Sequence, residues 1–478
     1  MKQDIAEHLQ VALEQQRAAF NADPFPGAAV RLDRLKRLKA MTGQYTDELV
    51  AAIAHDFGHR AHQETLLADI FTVQAGVRHA MSHLREWMRP RRVPTAMHFW
   101  PASNRLLRQP VGVVGVVSPW NYPYYLAMAP ALAALAAGNR VMLKPSELTP
   151  ATSDLMARMV REHFAPEEMT VIVGDAEVGK AFTALPFDHL FFTGSTAVGR
   201  MVAEAAARNL TPVTLELGGK SPAIVDRSAN IALTAERLAF GKLLNAGQTC
   251  VAPDYALVPR EMVQPLADAI VQRMRTLYPT IASNPDYTSI ATDRHLARLR
   301  SLVADAQAKG ARVVYTHDES PAGRDDPSTT GRKLAPQILL DVDDSMTVMQ
   351  EEIFGPLLPI VAYDKVEEAL AYVRRHERPL ALYWFGSDAQ AQQRALEQTH
   401  AGGVTVNDCI WHLGQEEQPF GGTGASGMGS YHGEWGFRTF SKEKPIFVQS
   451  RFAGTRLFHP PYGPTFDRMM GVLRKLAA

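Results

Sequence analysis

The first ninety residues show the periodicity of helices. Apolar residues recur every three or four positions through residues 5–20, 32–41 and 49–53, with charged residues between them. Arg89, Pro90, Arg91 and Arg92 interrupt this pattern. The following residues, 93–110, mix polar and aromatic positions, and we expect them to form an extended arm.

A different pattern begins at residue 111, where short apolar runs alternate with helical segments. The run VGVVGVV at 111–117 is typical of a strand buried on both faces of a parallel sheet. Strands separated by helices indicate an α/β fold with a doubly wound sheet. The predicted strands are 140–143, 170–173, 189–192, 213–217, 223–225 and 255–258, the helices 126–137, 151–163, 197–207, 231–244 and 262–277, and the surface loops 284–287 and 317–332.

Composition narrows the class of protein without indicating its chemistry. The 478 residues include 50 Lys plus Arg and 50 Asp plus Glu, so the formal net charge is zero. That balance argues against binding nucleic acid through a basic surface. The longest apolar stretch, residues 126–138, is too short to span a bilayer and contains Pro130. We therefore expect two or three domains and no nucleic-acid or membrane partner.

The sequence also bears on the compartment and on metal binding. Two cysteines, Cys250 and Cys409, are too few for a disulfide framework or for a structural zinc site of the usual four-ligand kind. The N-terminal residues alternate charged with apolar positions and lack the apolar core of a signal peptide. We expect a cytoplasmic protein that needs no metal.

Cys250, in the segment NAGQTC, is the candidate nucleophile. It follows the turn residues Gly247 and Gln248 after a predicted helix, where a side chain can face a cleft. Cysteine attacks as the thiolate, so it needs a base, a hydrogen-bond donor or a helix dipole nearby. The alternative is a buried small apolar side chain, which is the common fate of a free cysteine.

Two further residues are candidates for assisting a thiol nucleophile. Glu216 lies in the apolar strand 213–217, where burial raises the pKa of a carboxyl group and suits it to accept a proton. An ion pair with Lys220 is the alternative for Glu216. Asn121 follows the buried strand 111–117 and can donate a hydrogen bond to an oxyanion, or else it only caps a turn.

A phosphate site is predicted at FTGSTAVG, residues 192–199, between a strand and a helix. Ser195 and the first amides of the helix can bind a pyrophosphate, although the segment is neither a GxGxxG fingerprint nor a Walker loop. Lys144, Ser146 and Glu147 follow another strand and can contact a ribose or phosphate. Solvated loop residues are the alternative for these three.

Seven motifs together resemble the aldehyde dehydrogenase superfamily, in order and in spacing. The resemblance covers residues 20–449. The stretch SGMGSYHG at 426–433, the short N-terminus and the HPPYGP tail are most similar to the class 3-like branch, in particular to coniferyl aldehyde dehydrogenases of bacteria. The motifs are PWNYP (119–123), LKPSE (143–147), FTGSTAVG (192–199), LELGGKSP (215–222), GQTC (247–250), EEIFGP (351–356) and PFGG (419–422).

This resemblance implies a fold with three parts and an oligomer. The expected parts are a Rossmann-type NAD-binding domain (1–92 and 111–217), an α/β catalytic domain (218–440) and a small oligomerisation arm (93–110 and 441–450), with a C-terminal tail (451–478). We expect the tail to contain an amphipathic helix docked on the protein. Because an arm that leaves the globule must bury its apolar face on a partner, we also expect a homodimer.

The resemblance further implies oxidation of an aldehyde to a carboxylic acid. Cys250 matches the thiolate that forms a thiohemiacetal, Asn121 the oxyanion donor, and Glu216 the base that activates water to hydrolyse the thioester. Since Glu147 would repel a 2′-phosphate, we expect NAD as cofactor, with NADP as the alternative. The implied cofactor contacts are Lys144, Glu147, Thr193, Gly194, Ser195, Gly199, Leu217, Glu352 and Phe354.

Coniferyl aldehyde is the substrate that the resemblance implies, and a medium-chain aliphatic aldehyde is the alternative. Trp120, Tyr122, Trp411 and Phe420 are candidates for an apolar substrate pocket, or else they are ordinary core aromatics. Three rival functions are an acylating dehydrogenase, a cofactor-free thiol hydrolase and an inactive protein that keeps the fold. Glu216 argues against the first, the predicted phosphate site against the second, and the intact catalytic trio against the third.

Overall fold

The computed structural model describes residues 2–317 and 332–477. Most of the loop predicted at 317–332 lies outside these residues. The α-helices are α1 Lys2–Ala22, α2 Ala28–Gln44, α3 Thr46–Phe57, α4 His62–Thr65, α5 Thr72–Trp87, α6 Tyr125–Ala137, α7 Pro150–His163, α8 Ala176–Thr183, α9 Thr196–Ala207, α10 Ile231–Leu243, α11 Val263–Leu277, α12 Asp293–Ala308, α13 Thr347–Gln350, α14 Val366–Arg375, α15 Ala389–Gln398, α16 Gly433–Thr439 and α17 Pro464–Ala477.

The strands belong to three sheets. They are β1 Arg91–Val93, β2 Ser103–Pro110, β3 Val113–Val117, β4 Arg140–Lys144, β5 Met169–Val171, β6 His189–Gly194, β7 Val213–Leu217, β8 Pro222–Val225, β9 Tyr255–Pro259, β10 Arg312–Tyr315, β11 Gln337–Leu340, β12 Leu357–Tyr363, β13 Ala381–Phe385, β14 Gly403–Val406, β15 Gly427–Met428 and β16 Ser441–Val448.

The first sheet has the strand order β15-β7-β6-β3-β4-β5. Its neighbours are parallel except for β15, which pairs antiparallel with β7 and places Gly427 opposite Glu216. Helix α6 is apolar throughout and entirely buried, as a helix that joins two buried strands must be. The carboxyl ends of β3, β4, β6 and β7 therefore meet at one edge, where α/β sheets bind ligands.

The second sheet has the order β10-β11-β12-β9-β8-β13-β14 and is parallel except for β10. The third is a small antiparallel sheet of β1, β2 and β16, in which Ser441 lies opposite Pro110. The α/β architecture predicted from the sequence is confirmed. The two strands β2 and β16 of the third sheet come from the segments predicted as an arm.

Some elements differ from the sequence prediction. Helix α8 was not predicted; Asp175 caps it by accepting hydrogen bonds from the amides of Glu177 and Val178. The two-residue strand β15 was not predicted either. The tail contains the predicted helix, α17, which packs against the 3-10 turn Gly454–Phe458. No helix among the described residues is long and apolar enough to cross a membrane.

Candidate active site

Cys250 lies in a tightly turned loop after α10. Asn245 and Ala246 have φ angles of 54° and 51°, and that of Gly247 is 75°. These left-handed conformations reverse the chain within a few residues. A Cβ atom at Gly247 would lie 2.3 Å from the carbonyl oxygen of Gly355, so the close approach of the two backbones requires glycine here.

Buried side-chain amides hold this loop in place. Gln248 donates to the carbonyls of Asn245 and Ser289, both at 3.0 Å, and accepts from the amide of Ala291 at 2.9 Å. The hydroxyls of Thr249 and Tyr122 lie 2.6 Å apart. The two residues directly before Cys250 are therefore fixed by hydrogen bonds before any substrate binds.

Asn121 reaches the Cys250 loop from the end of β3. Its Nδ2 donates to the carbonyl of Gln248 at 3.1 Å, and its own carbonyl accepts from Asn245 Nδ2 at 3.0 Å. The side chain is buried. An amide nitrogen carries two hydrogens, so one of them is left for a ligand beside Cys250.

An ion pair that sequence reasoning missed supports this arrangement. Arg60 and Asp69 are both completely buried and 3.1 Å apart. Arg60 donates to the carbonyl of Asn121 at 2.9 Å, and Asp69 accepts from the amides of Tyr124 and Tyr125 at the start of α6. No local sequence pattern indicates this pair, because Arg60 and Asp69 lie more than fifty residues before the segment 121–125 that they bind.

Glu216 is buried in β7 and faces the same cleft as Cys250. Neither carboxyl oxygen has a hydrogen-bond partner among the described residues. Burial raises the pKa of Glu216 well above its ordinary value. The ion pair considered for it with Lys220 is absent from the described structure, because Lys220 pairs with Asp254 and donates to the carbonyls of Val348 and Glu351.

A cleft that we call the polar chamber contains most of the residues predicted to contact the cofactor. It runs from the carboxyl edge of the first sheet to Cys250. The predicted residues that line it are Trp120, Asn121, Thr193, Gly194, Ser195, Glu216, Leu217, Cys250, Glu352, Phe354 and Phe420, and those not predicted include Gly218, His295 and Arg298.

The end of the polar chamber at the carboxyl edge of the first sheet suits a phosphate. Ser195 caps the twelve-residue helix α9 by accepting from the amide of Val198, and the hydroxyl of Thr193 is buried with no partner among the described residues. A Cβ at Gly199 would lie 2.5 Å from Leu217, so α9 packs directly on β7. The free amides of a helix N-terminus at a sheet edge fit the pyrophosphate of a dinucleotide.

Lys144 and Glu147 are not among the residues that line the polar chamber. They lie at the end of β4, beside β3, where the amide of Ser118 donates to the Lys144 carbonyl at 3.1 Å. Lys144 Nζ lies 3.6 Å from Glu147 and donates to the carbonyl of Pro145 at 2.7 Å. Burial lowers the pKa of Lys144, while the half-exposed Glu147 partly offsets that effect.

Trp120 is placed differently from the prediction. Its ring lies in the polar chamber, stacked on His295 at 4.8 Å and edge-on to Phe354 at 5.5 Å. It is therefore separated from Tyr122 and Trp411, which line only a second cleft, whereas Phe420 lines both clefts. Phe354 has a φ of 51°, a left-handed conformation that is uncommon for a bulky residue and turns the chain next to Glu352.

Burial also changes the acidity of the groups around Cys250. Desolvation and, after it, the carboxylates Glu352 and Glu216 raise the pKa of Cys250 to about 12. Desolvation, followed by Asp254, raises the pKa of Glu352 to about 8. The thiol is thus protonated near neutral pH, and the reaction needs a nearby proton acceptor.

A second cleft, the apolar chamber, reaches Cys250 from another side. Three of the four predicted substrate-pocket residues, Tyr122, Trp411 and Phe420, line it. Trp411 is stacked on Phe240 with ring centroids 5.8 Å apart. The other lining residues, which the sequence did not indicate, include Leu67, Phe71, Tyr125, Phe240, Ile410, Leu413 and Glu416.

Comparison with known proteins identifies the family. Residues 1–446 match the model of the "Aldehyde dehydrogenase family". The chain belongs to this family. It is an aldehyde dehydrogenase, an oxidoreductase that uses NAD or NADP to oxidise an aldehyde.

Three similar proteins show how far the likeness extends. A "Probable coniferyl aldehyde dehydrogenase" of Pseudomonas aeruginosa is 48% identical over 97% of this chain and 95% of its own length. The substrate-bound structure of Staphylococcus aureus AldH is 37% identical, with a TM-score of 0.91 over 97% of this chain and 99% of that one. An indole-3-acetaldehyde dehydrogenase of Pseudomonas syringae, solved with NAD+, is 26% identical, with a TM-score of 0.83 over 93% and 89%.

Proposed function

We propose that this aldehyde dehydrogenase oxidises coniferyl aldehyde, or a similar aromatic aldehyde, with NAD as the acceptor. The observation that carries the proposal is the position of Cys250, which lines the polar chamber and the apolar chamber at once. A thiol at this junction reaches an aldehyde held on one side and leaves the other side to a nicotinamide. The name of the P. aeruginosa relative supports the choice of aldehyde.

Cys250 is the nucleophile in this proposal. Its thiol proton passes to a base, and the sulfur then bonds to the aldehyde carbon to give a thiohemiacetal. Asn121 Nδ2 and the backbone amide of Cys250 stabilise the oxyanion that forms. The loop hydrogen bonds described above support this role, because they fix both donors without help from the substrate.

Glu216 is the base. Its carboxylate has no ion-pair partner among the described residues and its pKa is raised by burial, which suits it to take a proton from the thiol or from water. When NAD is bound, the chemistry it supplies is acceptance of a hydride, after which Cys250 carries a thioester. Glu216 then activates water, and hydrolysis releases the acid and restores the thiol. Overall, aldehyde, water and NAD+ give acid, NADH and a proton.

The polar chamber would hold the cofactor. The pyrophosphate would bind to Thr193, Gly194 and Ser195 and to the first amides of α9. Gly199 and Leu217, where α9 packs on β7, would also contact the cofactor. Glu352 would contact the nicotinamide ribose, and Phe354 would flank the ring.

Lys144 and Glu147 would bind the adenosine ribose. Because Glu147 carries a negative charge at the sheet edge, it favours free ribose hydroxyls over a 2′-phosphate. We therefore assign NAD as the preferred cofactor, with NADP as the weaker one.

The apolar chamber would hold the aromatic ring of the substrate. Tyr122, Trp411 and Phe420 supply flat apolar contacts. Glu416 is the only carboxylate among the described residues that line this chamber, and burial raises its pKa. We propose that Glu416 accepts a hydrogen bond from the phenol hydroxyl of coniferyl aldehyde, a group that an aliphatic aldehyde lacks.

A homodimer built through the third sheet completes the proposal. We propose the domain boundaries expected from the sequence, although β15 and α16, from the proposed catalytic region, pack on the first sheet and on α6. The arm exposes Met97, Trp100 and Phe447 to solvent in the single chain. Covering these side chains favours a second copy. Light scattering should give the mass of a dimer, and a monomer would refute this part.

The function is tested with a panel of aldehydes from acetaldehyde through hexanal and benzaldehyde to coniferyl aldehyde, with NAD and NADP. We expect nicotinamide reduction by the wild type, fastest in kcat/KM with coniferyl aldehyde and NAD, and none above background by Cys250→Ser. Reduction that requires coenzyme A would favour the acylating rival. A higher kcat/KM for hexanal than for coniferyl aldehyde would overturn the proposed substrate class and leave the mechanism standing.

A further inference from the structure

We infer that His79, His83 and Glu417 form a binding site for a divalent transition-metal cation such as Zn²⁺. The two histidines lie one turn apart on α5, and Glu417 approaches them from the segment between the 3-10 turn Trp411–Gly414 and Phe420. One ligand atom from each residue lies within 4.8 Å of the others. None of the three belongs to the proposed catalytic machinery.

The distances are close to those of a zinc complex. His79 Nε2 lies 3.6 Å from Glu417 Oε1, and His83 Nε2 lies 3.9 Å from the same oxygen. Ligand atoms about 2.0–2.2 Å from a tetrahedral zinc ion are about 3.4 Å from one another. The ligand atoms of the two histidines lie within 4.8 Å of each other, so rotations of the side chains must close all three gaps.

The hydrogen bonds of His83 prepare it as a ligand. Its Nδ1 lies 2.9 Å from the carbonyl oxygen of His79, and a carbonyl can only accept, so Nδ1 carries the proton. The lone pair is then on Nε2, which faces Glu417. The ring is also stacked on Trp87 at 5.9 Å, which restrains its orientation.

The burial of the three groups fits a cation site that opens to solvent. His79 is 15% exposed, so its imidazole is partly shielded from solvent. Glu417 is 77% exposed, so a hydrated cation can enter and lose water gradually. Two imidazoles and one carboxylate, with an open fourth position, form a ligand set that zinc uses in proteins.

The site joins two walls of the apolar chamber. Thr72 and Ala75, about one to three turns before the histidines on α5, line the chamber on one side. Gln415 and Glu416, directly before Glu417, line it on the other. A cation held by both walls would fix their separation, and we infer that it stiffens the mouth through which the aldehyde enters.

The test is zinc binding by tag-free full-length protein in a Cys250→Ala background, since the active-site thiol would itself bind zinc. Competition with a chromogenic chelator should give one saturable site per chain. Glu417→Gln and His83→Ala should each weaken it at least tenfold, and His400→Ala, an exposed histidine elsewhere, should leave it unchanged. Glu417→Gln changes only a largely exposed side chain, so it keeps the test valid if a histidine variant fails to fold.

Hydrogen exchange supplies a second readout. Zinc should slow exchange of the amides at 411–418 in the Cys250→Ala protein, and this protection should disappear in Glu417→Gln. Absence of saturable zinc binding would overturn the inference. Equal binding by Glu417→Gln, His83→Ala and His400→Ala would also overturn it, because the zinc would then be bound by other groups.

Discussion

The two chambers that meet at Cys250 are built in different ways. The polar chamber consists largely of segments that follow strands β3, β6 and β7, each of which carries a contiguous motif. The apolar chamber is assembled from side chains of α5, α6 and α10, the π-helical turn Leu66–Phe71 and the segment 410–420. Parallel strands place their ends together by topology, whereas the second set of residues comes together only through the packing of helices.

This difference in construction suits the two chambers to different functions. Backbone amides and carboxylates at strand ends are set by the sheet and suit a cofactor whose structure does not vary. Side chains on helices and loops can change without disturbing the sheet, which suits the recognition of a particular aldehyde.

The largest effect is expected for Glu216→Gln, which keeps the volume of the side chain but removes the base. Steady-state turnover should fall by about 10²–10⁴-fold, and the first equivalent of NADH should form more slowly than in the wild type, because both the thiol and the water lose their base. Because burial raises the pKa of Glu216, wild-type turnover should decline as pH falls through that pKa, and this decline should be absent from the variant. Stopped-flow absorbance of NADH across pH checks both, and a variant with unchanged steady-state turnover contradicts the role of Glu216 as the base.

Asn121→Ala should lower kcat by about 10²–10³-fold, since it removes one of two oxyanion donors. The affinity for NAD should change little, because the cofactor contacts lie elsewhere in the polar chamber. Steady-state kinetics and NAD titration check this. As Asn121 also binds the carbonyl of Gln248, melting temperatures should be compared, and a loss below threefold in a stable variant would contradict the assignment.

Glu416→Met tests the specificity of the apolar chamber. It should lower kcat/KM for coniferyl aldehyde by about 10–100-fold, the range for a hydrogen bond to a charged group, and leave hexanal unaffected. Glu397→Met, at an exposed glutamate on α15 outside the chamber lining, is the matched control. If 3,4-dimethoxycinnamaldehyde, which lacks the phenol hydroxyl, is oxidised as well as coniferyl aldehyde by the wild type, Glu416 does not read that hydroxyl.

The smallest effect is expected for Glu147→Gln, at the outer end of the cofactor site. Removing one half-exposed charge is worth about 1 kcal/mol, so the ratio of kcat/KM for NADP to that for NAD should rise about fivefold. Asp154→Asn, an exposed carboxylate on α7, is the control. An unchanged ratio would contradict the proposed contact with the adenosine ribose.

The sequence predicted the strands and helices of the first sheet and most residues of the polar chamber, because both produce patterns within short, contiguous segments. Strand β7 has the predicted bounds, and β3 and helices α6 and α9 differ from the prediction by one or two residues at their ends, because their apolar patterns are continuous. Helix α8 is short and β15 has two residues, so neither produces a periodic signal. Between residues 278 and 440 the prediction named only loops, and β12 and β13 were not assigned.

The site residues that the sequence did not predict were missed because they depend on contacts between distant segments. Arg60 and Asp69 fix Asn121 and the start of α6 through a buried ion pair that spans distant segments. Trp120 was predicted with three other aromatic residues as a substrate-pocket candidate, but its ring packs against His295 and Phe354. The walls of the apolar chamber likewise depend on long-range packing, which one sequence does not encode in any local pattern.

The most direct test of the two-chamber account is a crystal structure of Cys250→Ala with NAD+ and coniferyl aldehyde. The account predicts the dinucleotide along Thr193, Gly194 and Ser195, and the aromatic ring between Trp411 and Phe420. The aldehyde carbon should lie beside residue 250, within reach of Asn121 Nδ2. An aldehyde bound in the polar chamber, or a nucleotide that occupies the apolar one, would contradict the account.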